Sequence, residues 1–297
     1  MASISGCSFM NKAAKIKSCT LGELMIYQIA LSIEDGVLAF HGFGSPLVQL
    51  ALHLAKRNHA PNLVLVAGAT YGINPTPAFL TPTTNDFAMN RDAECHLSIE
   101  ELFDLASSGR LGRMFLSGLQ IDRWGNMNVT HLGNEERLTL KLPGGGGGCN
   151  LSCDVGHITI WTAAHRTHAD DLGRRRYRLV NRCDFVTSVG HRTADGLLRS
   201  SMPYHGRGPD CIVTDLGIFG FNAEGHAELR FVYPDTSIEL VSESTEFEFP
   251  VADNLLTAAL PEPEMIEFIR QLDPLKIHER ELSQDDRVRT FELKRAF

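Results

Sequence analysis

Between Glu23 and Gly68 the chain alternates two hydrophobic periods, and that alternation limits the folds open to it. Leu24, Ile26, Ile29, Ala30 and Ile33 recur at helical spacing until Asp35-Gly36 ends the run. Val37-Leu38-Ala39-Phe40 is a strand-length apolar run, and His41-Gly42-Phe43-Gly44-Ser45-Pro46 turns the chain into a second helical face at Leu47, Leu50, Ala51 and Leu54. Ser45 is a natural N-cap, and Pro46 suits the first helical position, where its missing N–H costs nothing. Residues 62–68 form another buried-strand pattern. Helix, strand, glycine turn, helix, strand is the grammar of a parallel sheet covered by helices.

A second cycle follows. Pro75, Pro77 and Pro82 predict an extended loop, Ser98 caps a helix over 99–107, and Met114-Phe115-Leu116 reads as a strand. Further strands are predicted at 158–161, 185–188 and 211–214, with 229–234 a strand near a sheet edge and 265–272 a last amphipathic helix. The reading is one α/β domain, 19–274, built on an open, mostly parallel sheet flanked by helices. Residues 1–18 read as a flexible tail and 275–297 as a charged one poor in core residues.

Composition narrows the function classes. The 297 residues are 43% hydrophobic, enough for a core without metals or disulfides. No run approaches the roughly 20 apolar residues of a membrane span. Lys12, Lys15 and Lys17 precede no apolar stretch of the kind a secretory signal needs. Seven scattered cysteines with no CxxC pair fit free thiols in a reducing, cytoplasmic setting. A net charge of −8 argues against nucleic acid as a partner.

In open parallel sheets ligands sit beyond the carboxyl ends of the strands, so the glycine turns are the first places to look. Gly42 and Gly44, with Ser45 opening the helix, let a ligand approach the backbone, although no third glycine completes a dinucleotide fingerprint at Leu47. More unusual is the run of five glycines, 144–148, before Cys149-Asn150. A flexible linker would have this composition. Core-forming sequence on both sides argues instead for an ordered turn, whose bare amides can converge on an oxyanion or a phosphate.

Three other groups carry weaker signals. Cys149, Cys153 and His157 would share a helix face, yet their spacing is not that of structural zinc, and no metal is expected. His165 to His168 and Arg174-Arg175-Arg176 read equally as solvated charge or as contacts to CoA phosphates or a partner. Gln120, Asn126 and Asn128 form a turn or touch substrate, while Asp122 and Gly125-Asn126 read first as turn formers.

Several segments, in order, resemble one family. Gly118-Leu119-Gln120-Ile121-Asp122-Arg123-Trp124-Gly125-Asn126-Met127-Asn128 looks like the GAQID-x-Y/F-GN-x-N segment of family I coenzyme A transferase β subunits, of the glutaconate CoA-transferase type. The glycine run with Cys149-Asn150 resembles their GSGGAN loop, Arg174 to Gly190 their KRRF and DYVTSPG segments, and Val213 to Phe219 their VVTDKGIL. The similarity extends from about Leu21 to Asp273.

This resemblance implies an open NagB/RpiA-like α/β fold and pairing with a homologous α subunit, in an αβ or (αβ)₂ hetero-oligomer. It also implies a CoA thioester as substrate, with no permanently bound cofactor. By position Gly147 and Gly148 become the oxyanion donors, with Cys149 and Asn150 beside them, while Tyr71 and Asn74 line the acyl pocket. The leading activity is transfer of CoA to a carboxylic acid. One position departs from the pattern. Where the transferases carry a nucleophilic glutamate in a V-E-S-G turn, this chain reads Val66-Ala67-Gly68-Ala69, and alanine cannot be a nucleophile. A carboxylate must then come from elsewhere in the chain, Glu94 or Glu100, or from the α partner. The steroid ring-cleaving hydrolases, whose β subunits also lack this glutamate, show the partner route. Hydrolase or lyase chemistry is therefore the alternative, and a non-catalytic structural role the third reading.

Overall fold

The computed structural model describes residues 16–83, 85–134 and 136–293. Most of the segment read as an N-terminal tail thus lies outside the described residues, as do 294–297. The chain divides into two compact units, residues 1–36, 43–96 and 259–297 in the first, 37–42 and 97–258 in the second.

The first unit is mainly helical. The Leu21–Leu31 helix starts in a capping box, Thr20 accepting from the Glu23 amide while Glu23 accepts from the Thr20 amide. It packs against the Pro46–Asn58 helix, which Ser45 caps through the Val48 amide. The short strand Val64–Val66 follows, and the Pro263–Leu272 helix lies on the Pro46–Asn58 helix. Residues 275–293, read from sequence as a charged tail, are folded. They hold a 3-10 helix, Ile277–Glu281, a short helix, Gln284–Arg287, and a strand, Thr290–Glu292, paired antiparallel with Ser18–Thr20. Their core contribution is three buried side chains, Ile277, Leu282 and Phe291, each isolated among charges and so without visible periodicity.

In the second unit seven strands form one mixed sheet. Their order is Val251–Thr257, Ala227–Val232, Gly217–Phe221, Pro209–Thr214, His157–Thr162, Arg113–Leu116, Leu38–Phe40. Four of the six pairings are parallel, and the two made by Gly217–Phe221 are antiparallel. The mostly parallel open sheet is thus as the sequence predicts. Two details differ. The strand predicted at 229–234 is flanked on both sides. Residues 185–188 form no strand, because Thr187 and Ser188 fold onto the backbone of Met127. No helix among the described residues is long and apolar enough to cross a membrane.

Candidate active site

The glycine run is ordered, and its geometry explains why almost every position is glycine. Gly144 and Gly146 take φ of +90° and +51°, which side chains rarely adopt. A Cβ on Gly145 would stand 2.8 Å from Thr187 Cγ2, and one on Gly147 2.6 Å from Phe103 Cζ. Gly148 alone has ordinary room, 3.4 Å to Leu116 Cδ2. The loop is fastened to its wall by the Gly144 amide, which donates to Val129 O at 2.8 Å, and Val129 in turn donates to Thr187 Oγ1.

From Gly148 the chain enters the helix Gly148–Asp154. Of the two amides singled out from sequence, Gly148 N–H already donates to Gly145 O at 2.7 Å, closing a turn. The amides of Gly147, Cys149 and Asn150 have no protein acceptor among the described residues. The donors available to an oxyanion are therefore Gly147 and the first turn of the helix. Cys149 is half-buried, its thiol directed at Asn150 Oδ1 and Gly146 O. Cys153 lies one turn on, but the helix ends at Asp154 and His157 opens the next strand beside Asp210, so the three do not share a face.

In the other unit, the turn after Val64–Val66 is buried at Ala67 and tightly wound. Ala67 donates to Gly72 O, Tyr71 donates back to Ala67 O, and Ala69, Tyr71 and Asn74 all sit at φ near +50°, at 56°, 54° and 49°. Non-glycine residues in this region carry strain that clusters at functional turns. Asn74 spends its side chain on the Leu65 amide and on Glu94 Oε1, the latter at 3.1 Å. Glu94 is thus a carboxylate attached to the Ala67 turn, and it is exposed. Glu100 belongs to the second unit, where it opens the Ile99–Ser107 helix.

The remaining predicted residues act on the fold. Gln120 Oε1 accepts from Asn128 and from the Asp184 amide. Asn126 is fully buried and clasps Asp122 and the Gly190 amide. Gly42 and Gly44 have φ of +71° and +68° with open space around them, and Ser45 is an N-cap.

Known proteins bring this geometry into focus. No family model matches the chain. It is 28% identical over 254 residues to the B-type subunit of 3-oxoadipate CoA-transferase from Pseudomonas knackmussii, across 84% of this chain and 92% of that one. The B-type subunit of glutaconate CoA-transferase from Acidaminococcus fermentans is 27% identical over 261 residues, across 85% and 92%. A variant of the decarboxylase AibA/AibB superposes with a TM-score of 0.74 at 26% identity, across 89% of this chain and 99% of that one. The IpdB component of the cholesterol ring-cleaving hydrolase of Mycobacterium tuberculosis is 25% identical over 248 residues, across 80% and 90%.

The chain is a family I CoA-transferase protein of the B type.

Members of this family use CoA thioesters without a bound cofactor. The relatives of this B-type chain include transferases, a decarboxylase and ring-cleaving hydrolase subunits, so membership fixes the substrate class and not the reaction. One acidic group escapes the sequence reading. Glu281 Oε2 accepts from the Leu47 amide at 3.3 Å, at the start of the helix that follows the Gly42-Phe43-Gly44 turn. Burial pushes its carboxyl up to about 8, against the lowering effect of that N–H. No sequence signal marked it, because it stands in the stretch read as a tail.

Proposed function

We propose that this chain is the B-type half of a two-subunit enzyme that polarises the carbonyl of an acyl-CoA thioester and transfers CoA to a carboxylic acid. The partner is a homologous A-type subunit. The observation that carries this reading is the ordered glycine loop, with the amides of Gly147, Cys149 and Asn150 unspent at its exit. In transfer, a carboxylate oxygen attacks the thioester carbon and charge collects on the carbonyl oxygen. Preorganised amides stabilise that charge, typically by about 3–4 kcal/mol per donor. The CoA thiolate then leaves and is recaptured as an enzyme thioester.

Ala67 favours a second reading. Since the nucleophile position holds a methyl group, the carboxylate is supplied by the A-type partner, and hydrolysis or C–C cleavage of a cyclic or branched acyl-CoA can replace transfer. The two readings separate by trapping. The assembled complex is exposed to 3-oxoadipyl-CoA or glutaconyl-CoA, then to borohydride or hydroxylamine, and both subunits are weighed by mass spectrometry. Transfer leaves a modified glutamate on one of the two. Turnover without any adduct rules transfer out and leaves the hydrolytic or lyase reading.

A further inference from the structure

The loop leaving the carboxyl end of the His157–Thr162 strand carries five arginines between residues 166 and 178. Its charges are disposed in an unexpected way. The more solvent-facing members are neutralised, Arg174 by Asp170 at 2.9 Å and Arg175 by Glu243 at 3.5 Å. Arg166 and Arg178 are half-buried, and neither has a carboxylate partner among the described residues. Arg166 gives only its backbone N–H to Asp215, and its Nε is buried without an acceptor. Arg178 donates from Nη1 to Leu119 O at 3.2 Å, which satisfies one of the five donors a guanidinium carries. Solvation alone would give the reverse pattern, with paired charges inside and free ones outside. Taking a cation out of water without a counter-anion is costly, and a planar oxyanion repays it through two parallel hydrogen bonds.

The place of the loop matters as much as its charge. The Gly148–Asp154 helix reaches the His157–Thr162 strand through two residues, so its first turn lies toward the carboxyl end of that strand, where the arginine loop begins. The limbs of the loop are tied together, Thr167 Oγ1 donating to Arg176 O and Arg175 to Thr167 O. Arg178 is also linked to the glycine loop by backbone pairing. It bonds both Leu119 and Ile121, Leu119 pairs with Asn128, and the neighbouring Val129 accepts from Gly144.

We propose that Arg166 and Arg178 form a binding site for an anionic group of the CoA-thioester substrate. The site rests on the acyl-CoA reading and adds to it the means of recognition. On a chain of net charge −8, a local positive centre also lets a polyanionic substrate approach. The anion is either a phosphate of CoA or a second carboxylate on the acyl group, since both offer the oxygen geometry a guanidinium fits.

Calorimetry on the assembled complex distinguishes the sources. Arg166→Met, Arg178→Met and the charge-preserving Arg178→Lys are titrated with CoA, 3′-dephospho-CoA, pantetheine, glutaryl-pantetheine and butyryl-pantetheine. If the anion is phosphate, the methionine variants weaken CoA by about tenfold and leave pantetheine unchanged. If it is a carboxylate, glutaryl-pantetheine loses about tenfold and butyryl-pantetheine does not. Arg178→Lys, whose fold is the least disturbed, shows the same ligand ranking with a smaller loss. Changes below twofold for every probe, or an equal loss for all of them, overturn the proposal. Failure of the oxyanion reading looks different, with Gly147 variants turning over normally while this ligand discrimination persists.

Discussion

Arg199 donates from Nη2 to the carbonyl of Ser152 at 2.6 Å, gripping the last turn of the helix whose first turn follows the glycine loop. The same guanidinium reaches Cys153 O at 3.1 Å, Gly206 O at 2.9 Å and Val189 O at 2.8 Å, and the residue is 6% exposed. A cation at a helix C-terminus satisfies carbonyls that lack intrahelical partners and complements the helix dipole. Arg199 therefore positions the amides of Gly147 to Asn150 without touching substrate.

Arg199→Lys is expected to keep the charge and lose most of these bonds, each worth about 1.5–3 kcal/mol when the donor is ionised. The assembled complex should show kcat down about tenfold with KM little changed, and faster hydrogen exchange at the amides of 147–150. If the melting temperature falls but kcat per assembled complex does not, Arg199 merely holds the fold.

The glycine loop makes a sharper pair of predictions. Gly148→Ala adds a methyl group at ordinary van der Waals distance from Leu116, and its amide is already engaged in the turn. It should retain turnover within a few-fold. Gly147→Ala drives Cβ toward Phe103, 2.6 Å from Cζ, and should lower kcat by about a hundredfold as an oxyanion donor is displaced. Adding Phe103→Ala to Gly147→Ala should recover part of that loss. Steady-state kinetics on all three variants decides, and equal rates for Gly147→Ala and wild type would remove the loop from the chemistry.

The parallel core was legible because each of its signals is local. Pro46 after Ser45, or the apolar run at 158–161, states its structure within a few residues. The hairpin of Gln120–Asp122 with Met127–Asn128 was not foreseen as paired strands, since its apolar content is low and its stability comes from side-chain clasps such as Asn126 on Asp122. At the site, five glycines marked the loop, but which amides remain free depends on the turn closed by Gly148, a relation composition does not encode. Glu281 was invisible for another reason, its carboxyl meeting Leu47 across 234 residues of chain.

Stability should depend on pH through Glu281. Its carboxyl has an ordinary value of 4.5 and rises to about 8 in the folded chain. Between those values the folded state holds a proton that the unfolded state has lost, so stability declines as pH rises through that window. Above it the group is ionised in place and the penalty is complete. Glu281→Gln keeps an acceptor for the Leu47 amide and removes the ionisation. Thermal melts should show the variant more stable than wild type at about pH 9, with the gap closing toward about pH 5. A gap independent of pH would mean the glutamate ionises normally.

The charged C-terminal segment should prove indispensable. Its removal after Pro274 would unpair Ser18–Thr20 from Thr290–Glu292 and strip Ile277, Leu282 and Phe291 from the core. Asp273 would lose the amides of Ile277 and His278, which hold its carboxyl below the usual range against burial, together with the His278 ring at 2.6 Å. Three buried apolar side chains alone contribute about 1.5–3 kcal/mol each, which together is comparable to the whole stability of many domains. A chain ending at Pro274 is therefore expected to be insoluble or to melt far below the full-length protein. Full-length Phe291→Ala should lose about 3–5 kcal/mol in a denaturant titration. The full-length variant avoids the ambiguity of a truncated chain that never folds. Unchanged stability in it would show that this strand is peripheral and that the sequence reading of a loose tail was right.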